Sequence, residues 1–137
     1  MRIRSLFVVA AVFVVIGASV PLIAHHSFAA QYDRNKPVTL TGPVTKVEWI
    51  NPHGRLFIDA KDASGKVVNW EIELGAAAIL TRNGWKKTDV KIGDTLTITG
   101  SLAKDGSNLA NATTVVLASG KRVFAGSSGG DGPTPNP

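Results

Sequence analysis

From Val38 onward the chain alternates apolar and polar residues with a period of two, and the alternation slips phase once. Val38, Leu40, Gly42 and Val44 hold one phase, Val47 and Trp49 the other, with threonines, Lys46 and Glu48 between them. Period two marks a strand with one buried face. A slip of one residue turns every later side chain to the opposite face, so a bulge is expected between Val44 and Val47. Gly42-Pro43 stands beside the slip, where proline lacks a ladder donor and glycine tolerates a bend. A long first strand, bent to serve two sheet faces, is what a small closed barrel requires. No cysteine is present, so no disulfide supplements the core. Most apolar strand positions are therefore needed inside.

The rest of the chain supplies the partners. A second strand is expected over 55–61, a hairpin loop over 62–66 with Asp62, Ser64 and Gly65 as its turn residues, and a third strand over 67–74. Gly75 ends that strand. Residues 76–82 are Ala-rich with a basic last turn and predict the one helix, stopped by Asn83-Gly84. Trp85 is expected to cap one end of the barrel. Strands over 95–102 and 111–117 follow, joined by the turn Lys104-Asp105-Gly106-Ser107. Residues 121–124 read as a short last strand or extension. Strand, strand, strand, helix, strand, strand is the order of the OB-fold. The expected fold class is thus mainly β: a small five-stranded OB-like barrel with one short helix between strands three and four. An open sandwich is the alternative. Fold alone does not assign a function.

The first 24 residues have the layout of a secretory signal: basic Met1-Arg2-Ile3-Arg4, an apolar run over 6–16, and a looser stretch with Pro21. The apolar run is shorter than the ~20 residues that span a bilayer; a retained anchor is the competing reading. Cleavage after Ala24 would leave His25-His26-Ser27-Phe28 as the new terminus. Cleavage after Ala29 would remove both histidines. The expected division is a signal peptide over 1–24, an N-terminal arm over 25–37, the barrel over 38–126 and a disordered tail over 127–137, where proline is the only apolar residue. Loss of Arg2 and Arg4 leaves 13 basic against 10 acidic residues. That mild, scattered excess argues against a nucleic-acid partner or a lipid-surface patch. The expected location is the periplasm or the exterior, with no stable membrane span after signal cleavage.

Among side chains with chemistry, three histidines are prominent. Asn51-Pro52-His53-Gly54 is turn chemistry between the first two strands: proline fixes φ and glycine permits positive φ. Functional side chains are commonly built on such connections. The other two are His25 and His26. If His25 leads the mature chain, its amine and its own imidazole Nδ1 form a chelate, and the imidazole of His53 or His26 completes three nitrogens. Copper(II) favours tetragonal nitrogen sites. The plainer reading is a frayed terminus and a turn-capping His53.

Other candidates are weaker. Trp49, Trp70 and Trp85, with Phe57 and Tyr32, are the aromatics a ligand groove would use, but Trp70 is in phase with Ile72 and Leu74 and reads as core. Glu71 and Glu73 share a strand face at about 7 Å; no histidine or nucleophile accompanies them in sequence, so a solvated face is expected. The serines lie in no nucleophile motif and the glycines in no phosphate loop. No enzyme is indicated.

Ala24-His25-His26-Ser27-Phe28-Ala29-Ala30-Gln31-Tyr32-Asp33, Lys36-Pro37-Val38-Thr39-Leu40-Thr41-Gly42 and Val44-Thr45-Lys46-Val47-Glu48-Trp49 with Asn51-Pro52-His53 resemble a family of small exported bacterial proteins whose domain is of unknown function. Trp70, Glu73-Leu74-Gly75, Gly84-Trp85 and Gly93-Asp94 are similar to it as well. The resemblance spans about 25–126 and implies export and a small β-barrel, with no activity attached. Its members often carry a bulky or aromatic residue where Gly54 or Arg55 stands here. The ligand set, though not the fold, is similar to the histidine brace of several exported copper proteins. The expected function is therefore an exported binding protein holding copper through His25 and His53, with His26 as a further nitrogen. The alternative is a metal-free binding or assembly module for a protein, saccharide or other small-molecule partner.

Overall fold

The structure, a computed structural model, describes residues 28–126. The expected signal peptide, His25, His26 and the tail over 127–137 lie outside the described residues. A helical turn over 28–31 leads into six strands: β1 (Tyr32–Glu48), β2 (Arg55–Lys61), β3 (Val67–Glu73), β4 (Thr95–Ala103), β5 (Leu109–Val116) and β6 (Arg122–Phe124). Between β3 and β4 come the helix α1 (Ala77–Arg82) and a 3-10 turn, Lys87–Asp89.

β1 is the organising strand. It pairs antiparallel with β2 through its C-terminal part and with β4 through its N-terminal and middle parts. The register against β2 shifts between Val44 and Lys46, at the phase slip. Past the bulge Lys46 lies opposite Phe57, and Val44 before it lies opposite Ile58. Leu40, Gly42 and Val44 are buried before the slip, whereas Val47 is half-buried and packs against the core after it. β1 also begins at Tyr32, earlier than the alternation from Val38 indicates. Residues 33–36 break the regular ladder, since Tyr32 pairs with Ala103 and the next pair is Pro37 with Ser101.

Two glycines let the strands close up. A Cβ on Gly42 would sit 1.8 Å from the Asp59 carbonyl oxygen of β2, and one on Gly100 would sit 2.1 Å from the Asn111 carbonyl oxygen of β5. Only a residue without a side chain permits backbones to approach this far. The pairings run β1–β2, β2–β3, β3–β5, β5–β4 and β4–β1, so they return to their start as a ring of strands. The closing pair is parallel and short: Glu71, Ile72 and Glu73 against Leu109, Ala110 and Asn111.

The strand count corrects the expected five. Beyond Asn111, β5 no longer has β3 beside it, and its free edge is taken by β6, with Thr114 opposite Phe124 and Val116 opposite Arg122. Unpaired backbone groups at that edge explain why so short a strand forms there.

The interior of the ring is a single apolar cluster that includes Leu56, Ile58, Ile72, Leu96, Ile98 and Val115, all essentially without solvent contact. Trp70 packs into it, as its phase with Ile72 and Leu74 requires. α1 ends in a Schellman motif: Trp85 N–H donates to the Leu80 carbonyl (3.1 Å) and Gly84 N–H to the Thr81 carbonyl (3.1 Å), with Gly84 at φ +91°. Leu80 and Trp85, the apolar pair that accompanies such a motif, are both buried. Trp85 is further fixed by its Nε1–H donating to the Phe124 carbonyl (2.8 Å) and by the Trp49 ring 5.9 Å away. The turn from β2 to β3 is built by Asp62, whose Oδ1 accepts from the Ser64 N–H, the Ser64 hydroxyl and the Lys66 N–H. Asp105 does the same for Ser107 between β4 and β5. No helix among the described residues is long and apolar enough to cross a membrane.

Candidate functional site

The segment between β1 and β2 carries His53. Its Asn51-Pro52 peptide bond is cis. The expectation that Gly54 uses positive φ is corrected: among the described residues the positive-φ glycines are 65, 84, 93, 106 and 120. Gly54 instead continues the sheet. Its N–H donates to the Gly75 carbonyl (3.0 Å), and its carbonyl accepts from Leu74 N–H (2.8 Å). These two bonds pin the turn to the end of β3 and place the His53 ring, half-buried, beside Glu73 and Leu74.

His53 Nδ1 lies 3.4 Å from the Leu74 carbonyl oxygen and 3.6 Å from Glu73 Oε1. Glu73 is itself held from two other elements. Its Oε2 accepts from the Tyr32 hydroxyl (3.1 Å), at the start of β1, and its Oε1 accepts from Asn111 Nδ2 (3.0 Å), on β5. Tyr32 and Asn111 are each 2% exposed. Burial, and then the Glu73 charge, push the Tyr32 hydroxyl well above its ordinary pKa: both disfavour a second negative charge beside the carboxylate. Arg55, the cross-strand partner of Glu73, directs its guanidinium diagonally to Glu71. The neighbouring carboxylate is thereby neutralised and Glu73 is left to Tyr32, Asn111 and His53.

The face that spacing indicates as solvated is exposed at Val67 and Asn69 and partly so at Glu71, but not at Glu73. Glu73 sits at the closing pair of the ring, where Glu73 and Asn111 are opposite each other, and its side chain is 15% exposed. Sequence reasoning missed Glu73, Tyr32 and Asn111 as a unit. The one signal was Asn111 itself, a polar residue in the apolar run Leu109-Ala110-Asn111-Ala112: a buried amide needs a partner. Of the sequence-predicted metal ligands, His53 is placed here, while His25 and His26 lie outside the described residues. Among the described residues, no three His, Asp or Glu side chains gather to hold a metal ion.

The described chain upstream of Tyr32 packs against the Tyr32 ring. Phe28 stacks on the Tyr32 ring at 5.4 Å, the Arg34 guanidinium covers the Phe28 ring at 5.1 Å, and Lys104 N–H donates to the Gln31 carbonyl (2.9 Å). Lys104 Nζ also donates to the Ala29 carbonyl. The turn over 28–31 is therefore docked on the body through Tyr32 and Lys104.

A family model described as a family of unknown function (DUF6152) matches residues 12–112. The chain belongs to that family. The match takes in all three histidines together with Tyr32, Glu73 and Asn111. No curated protein and no solved structure matches the chain.

Proposed function

We propose that this chain is an exported OB-like β-barrel that binds copper(II) in the periplasm or outside the cell, and that it does so without catalysing a reaction. The ligands are the amine and imidazole of His25 and the imidazole of His53, with His26 as a further nitrogen. In strand order, and in the placement of α1 between β3 and β4, the ring agrees with the OB arrangement. Removal of residues 1–24 by signal peptidase would expose the His25 amine.

One observation carries the reading. The Tyr32 hydroxyl donates to one oxygen of Glu73, and His53 Nδ1 lies 3.6 Å from the other. The start of β1 and the His53 turn therefore approach a single carboxylate. Only Ser27, His26 and one further peptide link separate His25 from the docked Phe28, and three residues extend at most ~11 Å. Copper(II) suits a set of two imidazoles and an amine, being the tightest-binding of the divalent first-row metals for nitrogen donors.

Intact-mass analysis of the exported protein tests the first requirement: a terminus at His25 supports the reading, and a terminus at Ala30 sinks it. Titration of the His25-initiated protein with Cu(II), followed by electron paramagnetic resonance, then has a definite expectation. A 1:1 complex forms, and His53→Ala weakens it by orders of magnitude. Equal affinity in the two proteins would reduce the N-terminus to an incidental chelator.

A metal-free binding module is the second reading. Ile50 and Ile79, 49% and 40% exposed, lie on segments joined by the Ala77 N–H to Ile50 carbonyl bond. A protein terminating at Ala30 would keep these residues and favour that module.

A further inference from the structure

We infer that Glu73 is a positioning residue for His53: with the Leu74 carbonyl, it fixes the neutral ring as the Nδ1–H tautomer, so that Nε2 is the nitrogen that takes the metal. This assignment rests on the copper reading above and adds to it the ligating atom and the group that selects it.

The argument starts from what surrounds Nδ1. Both oxygens near it, the Leu74 carbonyl at 3.4 Å and Glu73 Oε1 at 3.6 Å, present only lone pairs. A lone pair on Nδ1 would face two acceptors and be repelled by both; a proton there is attracted by both. The two distances exceed the ~2.9 Å of a tight N–H···O bond, so the preference comes from the shared sign of two acceptors and from the formal charge on one of them. A neutral imidazole carries one proton. With that proton on Nδ1, the ligand lone pair is on Nε2, and no described residue hydrogen-bonds Nε2.

Glu73 is held so that it cannot swing away. Its Oε2 is engaged by the Tyr32 hydroxyl of β1 and its Oε1 by Asn111 Nδ2 of β5. Tyr32 and Asn111 are both buried. Breaking either bond would strand a buried polar atom, which costs about 1–3 kcal/mol. An imidazole whose distal N–H faces a carboxylate or a backbone carbonyl is the usual outer arrangement of a metal-bound histidine: it sets the tautomer and raises the basicity of the ligating nitrogen. Here both kinds of acceptor belong to the fold itself, at the end of β3, so less ordering of the ring is left to binding.

The first measurement needs neither metal nor variant. Long-range 1H–15N correlation of the metal-free protein at mildly alkaline pH reports which ring nitrogen of His53 is protonated, with His53→Ala supplying the assignment. Nδ1–H as the dominant form is expected; dominant Nε2–H overturns the inference, whatever the protein does with copper. In Glu73→Gln an oxygen still meets Asn111 Nδ2 beside Nδ1 but the formal charge is gone, and a weaker preference for the Nδ1–H form, seen as a shift toward Nε2–H, is expected. With Cu(II) as the probe, Glu73→Gln weakens binding by roughly 10–100-fold while the circular dichroism stays that of the wild type. Unchanged affinity in a folded Glu73→Gln protein overturns the positioning role. Wild-type protein that holds Nδ1–H yet fails to bind Cu(II) sinks the copper reading instead, so the two failures are distinguishable. Should Glu73→Gln not fold, Tyr32→Phe loosens the same carboxylate from its other oxygen, and a smaller shift in the same direction is expected.

Discussion

Gly42→Ala is the sharpest perturbation of the ring. The added methyl would lie 1.8 Å from the Asp59 carbonyl oxygen and 2.7 Å from its carbon. Side chains of real proteins do not approach carbonyl oxygens so closely, and the obstacle is backbone, which has no rotamer to change. Relief requires β1 and β2 to part by more than about 1 Å, in an interior packed too densely to absorb it. Overpacking against yielding neighbours costs about 1–3 kcal/mol. Here the ladder bonds beside the site are lost as well, at about 1 kcal/mol each, so the total is about 3–5 kcal/mol. At about 4–8 °C per kcal/mol for a domain of this size, the melting temperature should fall by roughly 12–40 °C. Gly93→Ala is the control. It meets nothing within 4 Å but has φ +93°, so it carries only left-handed strain of about 1–2 kcal/mol. Thermal denaturation followed by circular dichroism compares the two. A Gly42→Ala protein that melts as high as Gly93→Ala would refute the claim that the close approach of β1 and β2 at Gly42 requires a residue without a side chain.

Other consequences can be read with simple assays. Tyr32 is the sole tyrosine, so absorbance near 295 nm reports its ionisation alone. Because burial and Glu73 raise its pKa in the folded state, its contribution to stability is complete below the ordinary value of about 10 and is lost as pH rises past it. Tyrosinate should then appear only together with unfolding, and Tyr32→Phe should flatten the alkaline limb of the stability profile; a reversible titration near 10 in folded protein contradicts this. The Asp62 and Asp105 carboxyls are held below the usual range, chiefly by the hydroxyls of Ser64 and Ser107. What they contribute is present above the ordinary carboxyl pKa and lost as pH falls through the lowered one, so the double Asp62→Asn, Asp105→Asn variant should show a shallower acid limb in urea melts. Trp85→Phe removes the bond to the Phe124 carbonyl and part of a filled site; about 2–4 kcal/mol should be lost, and an unchanged urea midpoint would mean that Trp85 does not anchor β6.

Much of the fold is legible along the chain because its determinants are local. The phase slip in β1 announces the bulge, since side-chain alternation cannot change face otherwise. Asp-Ser pairs at positions i and i+2 build their turns from atoms within one loop. Asn83-Gly84 ends α1 through bonds spanning only a few residues. Trp70 declares itself core by keeping step with Ile72 and Leu74.

The neighbours of each strand were decided only in three dimensions. β6 exists because β5 outruns β3, a matter of register that Lys121-Arg122-Val123-Phe124 does not encode alone. Glu73 meets His53 because Gly54 joins the end of β3, and it meets Tyr32 and Asn111 because the ring closes at that point. A residue's alternation, turn chemistry and helix-stopping power act through atoms a few bonds away, and so they are written in its immediate sequence. Which carboxylate faces an imidazole 20 positions distant depends on how whole strands align, and that alignment is settled by the burial of the entire core.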